Sequence, residues 1–418
     1  MNQPPPPPRR WMFLVVPPGA LIVGFLLFDA ALRLAVEPSP RSYGRLRGYE
    51  LPPVRLIPAP APPVTDPAAP WSNLVVDGVP ITHGDLFGSK REHPRIGYVW
   101  KEGWTSANGW WRTNELGARR DRPTPREAPA GKRRIAFFGD SFAAATRVAQ
   151  DQAWSTRLET LRPDLEVVNF GTDGYSSAQS FLRYQEVAGR IEMDVACFIF
   201  VPWHDPWRDV NVMRSLGEQW TSYTTMPRFV LEGDGLRFVP PLYERAATIY
   251  ERHYPEPGTD LLAHLRAYDR FFVEATHVPP PGLGRLVTWK LLAAHRAEEA
   301  RRRIRMEIGG DLDGEAFEIT RRIFAAATKE GSARGHRVVV GVLPVQRDLT
   351  NLERSEIARE RWRGILERFR IAGVETLDLS PALLAAPASD RDDGYDGTHY
   401  GPRANLRIAE ALAAGLPR

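Results

Sequence analysis

The stretch RRIAFFGDSFAAATRV, residues 133–148, is an apolar run that stops at Gly139, Asp140 and Ser141 and continues in small residues. A short continuous apolar segment closed by a glycine turn reads as a strand buried on both faces. A tight turn at its carboxyl end exposes the serine hydroxyl and aims backbone N–H groups at the same point. Gly/Asp/Ser turns are also ordinary loop chemistry, so these residues need partners elsewhere before they mean a site. Neither phosphate-cradling pattern, GxxxxGK[ST] or GxGxxG, occurs in the chain.

Downstream, the same kind of run alternates with amphipathic helical patterns. LEVVNFG and DVACFIFVP follow the first strand, with helices expected near 152–162 and 176–189. After a long interruption come the helix AFEITRRIFAAATKEG, the strand RVVVGVLPV, the helix ERSEIARERWRGILERFRIAG, the strand VETLDLS and the helix PRANLRIAEALAAG. Five buried strands separated by helices predict a parallel sheet covered on both faces, and such sheets take ligands at the carboxyl ends of their strands. The interruption, about residues 206–313, holds PRFVLEGDGLRFVPP, which reads as a hairpin around Gly233, Asp234 and Gly235. Helical segments follow it, so the region is expected to be an insertion placed to roof the site.

The 418 residues are 43% hydrophobic, enough for a sizeable core. The net charge of +4 is spread along the chain without a basic stripe, which excludes the electrostatic footprint of a nucleic-acid binder. A single cysteine, Cys197, rules out a disulfide within the chain and argues against a cysteine zinc site; it reads as core filler.

The N-terminus divides into a tail, residues 1–10, and a charge-free run from Trp11 to Phe28, about the minimum for a membrane span. Without a small-residue cleavage site after it, residues 11–34 are expected to be an uncleaved transmembrane anchor, the tail cytoplasmic and the catalytic domain periplasmic or extracellular. Residues 35–70 read as a Pro-rich linker, with an extended spacer over 51–70. Residues 71–130 form a lead-in rich in tryptophan. Trp100, Trp104, Trp110 and Trp111 are read as packing the lead-in against the sheet, with stacking on sugar rings as the alternative.

A serine hydroxyl is a poor nucleophile unless a base takes its proton, and that base needs a carboxylate to fix its tautomer. YDGTHYGPRANL, just before the last helix, supplies both in Asp396 and His399. His253, His264, His277, His295 and His336 stand in helical or loop contexts and read as structural or surface residues.

Taken together, GDSF at 139–142, VVNFGTDGYSSAQ at 167–179 and DGTHY at 396–400 resemble the SGNH/GDSL hydrolase superfamily, and with RTNELGARRDRP at 112–123 its membrane-anchored bacterial members. The resemblance covers roughly residues 93–414 and makes 131–418 an SGNH hydrolase-like domain. It implies a flavodoxin-like three-layer α/β/α sandwich with a five-stranded parallel sheet. It also implies Ser141 as nucleophile, Asp396 and His399 as its partners, and backbone N–H groups of Ser141 and Gly174 as oxyanion donors. One block departs. Where the family carries Gly-x-Asn-Asp, this chain has FVPWHDPWRD, with His204 in place of the asparagine and Asp205 retained. His204 is the expected third oxyanion donor, with Asp140 and Asp205 supporting. No metal or cofactor is implied. The expected substrate is an O-acyl ester, for example O-acetyl, on a cell-envelope glycan or lipid. The alternatives are acyl transfer to a sugar hydroxyl, a degenerate glycan-binding or scaffold domain, and a cytosolic lipase or thioesterase.

Overall fold

The computed structural model describes residues 10–57, 72–76, 79–82, 89–106, 109–217, 224–244, 246–253, 256–391 and 399–416. Five parallel strands form the central sheet: β1 (Arg133–Phe138), β2 (Leu165–Asn169), β3 (Val195–Phe200), β4 (Arg337–Val342) and β5 (Glu375–Asp378), in the order β5-β4-β3-β1-β2. The strand order reverses beside β1, between β1 and β3, and there the carboxyl ends open a crevice.

Side chains alternate along each strand between two packed faces. On one, Phe138, Val168, Phe198 and Val340 pack against helices α3 (Ser177–Ala188), α5 (Glu315–Arg334) and α7 (Glu356–Ile371). On the other, Phe137, Val167, Cys197 and Val339 pack against α2 (Trp154–Leu161) and α8 (Pro402–Gly415). Each such aliphatic or aromatic side chain contributes roughly 1.5–3 kcal/mol on burial, and burial on both faces explains why the strands read as continuous apolar runs. Cys197 is part of this core, where burial pushes its thiol up to about 12.

Helix ends follow local chemistry. Ser176 and Gln179 form a capping box that starts α3, and Gly335, at φ 82°, ends α5 in the left-handed conformation. The segment expected as one helix from Glu353 is split. Ser355 leaves helical geometry and its side chain caps Ala358 N at 3.3 Å, so α6 (Gln346–Arg354) ends before α7 begins.

The expected hairpin pairs Arg228–Glu232 with Gly235–Val239. The inserted region continues the core on the α5 face, with Leu261, Leu265, Phe271 and Ile308 in the same cluster as Phe317. Part of the expected linker is also folded. Gly44–Leu46 pairs with Tyr49–Leu51 and packs beside helix α4 (Val287–Gly310), while Val54 N donates to Thr276 O at 2.7 Å. The rest of that linker, residues 58–70, lies outside the described residues.

The transmembrane part of the expected architecture is corrected. Residues Arg10–Leu34 form helix α1, but among the described residues no helix is long and apolar enough to cross a membrane. The last turns belong to the folded domain. Asp29 Oδ1 accepts from Thr288 N at 2.8 Å and from the Thr288 hydroxyl at 2.5 Å, and Asp29 Oδ2 pairs with Arg33 at 3.2 Å.

Candidate active site

The turn after β1 is built on close approach. A Cβ on Gly139 would stand 2.6 Å from Ala143 Cβ and 2.8 Å from Ile199 O, and one on Gly171 would stand 2.3 Å from Ala144 N. Only glycine lets the β1 and β2 loops close on each other. Ala144 N then donates to Asp140 O at 2.8 Å and Thr172 N to Gly139 O at 3.0 Å. Ala145 and Arg147 are held at φ 53° and 78°, conformations that cost about 1–3 kcal/mol each in non-glycine residues. The buried guanidinium of Arg119 offsets that cost. It donates to the carbonyls of Ala144 at 2.7 Å, Ala145 at 2.5 Å and Val148 at 2.7 Å, and lies 3.9 Å over the Trp111 ring.

This turn presents Ser141 to His399, 258 residues away in sequence: Ser141 Oγ and His399 Nε2 are 2.9 Å apart. Phe142 flanks the imidazole at 4.9 Å between ring centroids. The loop carrying His399 is fastened by Asn405, whose Nδ2 donates to Tyr400 O and Gly401 O, both at 2.9 Å, and by the Tyr400 hydroxyl, which donates to Pro344 O at 2.6 Å. Asp396 lies outside the described residues.

Gly174 follows Asp173 in the β2–α3 loop. Among the described residues neither Ser141 N nor Gly174 N has a hydrogen-bond acceptor, the condition of a pair of N–H groups available to a substrate oxygen. Asp173 accepts from the Thr146 hydroxyl at 2.5 Å and pairs with Lys90 at 3.5 Å. Burial works to raise its carboxyl, but Lys90, Thr146 and the charge of His399 outweigh it and hold the group below the usual carboxylate range.

His204 is turned to carboxylates. Its Nδ1 hydrogen-bonds Asp205 Oδ1 at 2.9 Å, and its buried Nε2 lies 3.1 Å from Asp140 Oδ2, within ion-pair distance but outside hydrogen-bond geometry. Asp140 Oδ1 accepts from Phe142 N at 2.9 Å, and Asp205 Oδ2 from Val201 N at 2.8 Å. Arg208 Nη1 lies 3.1 Å from Asp140 Oδ2 and donates to Tyr175 O at 3.2 Å. It thereby ties the turn of Ser141 to the loop of Gly174. Burial raises the Asp140 carboxyl above its ordinary value, opposed by His204 and Arg208. Asp140, His204 and Asp205 offer ligand atoms within 4.8 Å of one another, the spacing of a metal site. The donor set fits an ion pair better, because Arg208 already supplies the cation beside Asp140 and backbone N–H groups take one oxygen of each acid.

Arg119, Asp173, Arg208 and Asn405 are absent from the sequence reading. Arg119, Asp173 and Arg208 work through carbonyls or charges distant in sequence and Asn405 through nearby carbonyls, and the only available signal was their place within the quoted blocks. The other histidines take structural partners: His253 with Tyr243 at 2.8 Å, His295 with Tyr49 at 3.1 Å and His336 with Tyr184 at 2.9 Å. Trp100 and Trp111 are buried and stack at 4.6 Å, and Trp100 Nε1 donates to Gly171 O at 3.0 Å, so the lead-in packs against the site loops.

No family model matches the chain. No curated protein matches it either. Solved structures similar to it include a lipolytic protein of the G-D-S-L family from Veillonella parvula, at 12% identity and TM-score 0.31, covering 68% of this chain and 98% of that one. The acetyl xylan esterase AlAXEase is similar at 10% identity and TM-score 0.32, covering 68% and 100%. An acetyl-xylooligosaccharide esterase from Geobacillus Stearmophilus is similar at 12% identity and TM-score 0.34, covering 69% and 96%.

Proposed function

We propose that the chain is a serine ester hydrolase of the SGNH type. The observation that carries this reading is the 2.9 Å contact between Ser141 Oγ and His399 Nε2 at the carboxyl end of β1, beside two N–H groups without acceptors among the described residues. Ser141 Oγ attacks the acyl carbon while His399 Nε2 takes its proton, and Asp396 orients the imidazole. The carbonyl oxygen gathers negative charge and is held by Ser141 N–H and Gly174 N–H. His399 returns the proton to the alcohol oxygen as the ester C–O bond breaks. Water then gives a proton to His399 as it attacks the acyl carbon, and His399 passes that proton to Ser141 Oγ as the acyl C–Oγ bond breaks, releasing the acid and free Ser141.

The substrate is an O-acyl ester of a glycan. Trp203, three residues past the end of β3, is 44% exposed with the Arg347 guanidinium 4.1 Å over one face of its ring, and Trp110, beside the Arg119 clamp, is 40% exposed. The exposed faces of indoles give sugar rings a stacking surface. The test is hydrolysis of p-nitrophenyl acetate and acetate release from an O-acetylated oligosaccharide. Wild type turns over both, and Ser141→Ala loses roughly 10⁴-fold or more in kcat on each. Equal turnover by the variant would defeat the assignment. Acetyl transfer to a sugar acceptor in place of free acetate would make the enzyme a transferase.

A further inference from the structure

A second pocket lies away from Ser141, between the folded segment after α1 and helix α4. It is a cavity of about 600 Å³ with five arginines in its wall: Arg41, Arg45, Arg55, Arg301 and Arg305. Two carboxylates face them, Glu50 and Glu298, leaving an excess of three positive charges. Glu50 is committed to Arg45 at 2.8 Å. Arg41, Arg55, Arg301 and Arg305 have no carboxylate within ion-pair distance among the described residues. Arg55 donates to Pro40 O at 2.9 Å and Arg305 to Gly217 O, bonds that fix the side chains without neutralising them. Burial lowers the Arg301 guanidinium from its ordinary value, opposed by the charges of Glu298 and Asp269 and aided by Arg305. Guanidinium groups gathered around one space in excess of their counter-charges lower their mutual repulsion by taking an anion.

The same wall holds an unfilled hydrogen-bonding atom. His277 is buried; its Nδ1 is 2.8 Å from Val54 O, and its Nε2 has no partner among the described residues. Burial pushes this imidazole down to about 4, so it is neutral near pH 7. With Nδ1–H donating to the carbonyl, Nε2 is an acceptor, suited to a hydroxyl and not to an anionic oxygen. Leu56 and Ala297 add an apolar floor. The pocket therefore matches a ligand with an anionic group, a hydroxyl and some hydrocarbon.

We infer that this pocket binds a phosphate ester carrying a free hydroxyl, the chemistry of a glycerophosphate, either as a soluble compound or as the headgroup of a phospholipid. The inference is independent of the ester chemistry at Ser141. Binding of glycerol 3-phosphate to the full-length chain is measured by calorimetry, and co-sedimentation is measured with vesicles of phosphatidylglycerol in phosphatidylcholine and of phosphatidylcholine alone. The variant is Arg41→Ala with Arg305→Ala, both exposed, and its ester turnover is expected to equal that of wild type, which checks its fold. Saturable binding of glycerol 3-phosphate that weakens at least tenfold in the variant supports the site with a soluble ligand. Binding only to phosphatidylglycerol vesicles, lost to the same degree, supports it with a headgroup. Absence of binding to either probe, or binding that the variant leaves unchanged, overturns the inference.

Discussion

The central sheet carries a buried charge cluster at each end. At the amino ends, Arg134 in β1 pairs with Glu166 in β2 at 2.6 Å, Arg120 joins the same carboxylate at 3.0 Å, and Arg134 also donates to the carbonyls of Arg126, Glu127 and Glu192. At the carboxyl ends, Asp140, His204, Asp205 and Arg208 form the other. The first is built around arginines, which stay charged at every ordinary pH, and Arg134 uses its remaining donors on the backbone carbonyls of the loops before β1 and β3. The second contains two acids and an imidazole whose charge depends on protonation, and it braces the turn that carries Ser141. With His204 protonated its two cations balance its two anions. Charge at one end of these strands fixes the fold, and charge at the other sets the posture of a reactive group.

The comparison breaks most visibly at Glu166. Glu166→Ala strands Arg134 and Arg120 without their anion, and breaking a buried pair in this way costs about 3–5 kcal/mol. Urea unfolding should show that loss, while kcat of the folded fraction stays within about twofold of wild type. A large fall in kcat at unchanged stability would assign the amino-end cluster to the chemistry.

Protonation sharpens the contrast. Asp209 is buried next to Arg208, accepts from Ala178 N at 2.9 Å and the Thr320 hydroxyl at 2.7 Å, and burial pushes its carboxyl up to about 6. A folded-state value above the unfolded one means that the native protein binds the proton more tightly. The contribution of Asp209 is thus full below about pH 4 and is lost as pH rises through about 6. Asp209→Asn removes that slope, so the stability difference between wild type and variant should move in the variant's favour by about 1–3 kcal/mol from about pH 4 to 7. Parallel unfolding curves at every pH would show that Asp209 does not titrate in this window.

The smallest effect is expected at His204. A lost oxyanion donor costs about 10²- to 10³-fold in kcat. With Nδ1 bonded to Asp205 and Nε2 buried 3.1 Å from Asp140, His204→Asn should change kcat by less than about fivefold, with a stability loss of about 1–3 kcal/mol from the disturbed acids. A fall of about 10²-fold or more with unchanged stability would return His204 to the oxyanion hole.

The strands were legible because their double-sided burial leaves continuous apolar runs, RRIAFF and VACFIF among them, and no folding context is needed to see them. Ser141 and His399 were legible because nucleophile and base each stand beside a turn glycine or a helix start. The orientation of His204 was not, since the residue type permits an oxyanion donor and a carboxylate bridge equally, and only the positions of Asp140 and Asp205 decide between them. Arg119 and Arg208 were hidden for a related reason. They act on backbone carbonyls, which every residue carries, so nothing in composition or spacing marks their targets. The apolar stretch before Asp29 misled in the opposite way, because hydropathy along the chain does not register that Asp29 and Arg33 are held by Thr288 and the Arg285 carbonyl.

Labelling of the full-length protein with a fluorophosphonate, followed by mass-spectrometric mapping, tests the central claim most directly, because the reagent reacts with a serine activated by a base and an oxyanion site. A single adduct on Ser141, formed by wild type and absent from His399→Ala, is the expected result. An inert Ser141, or an adduct on another residue that persists in Ser141→Ala, would contradict the account.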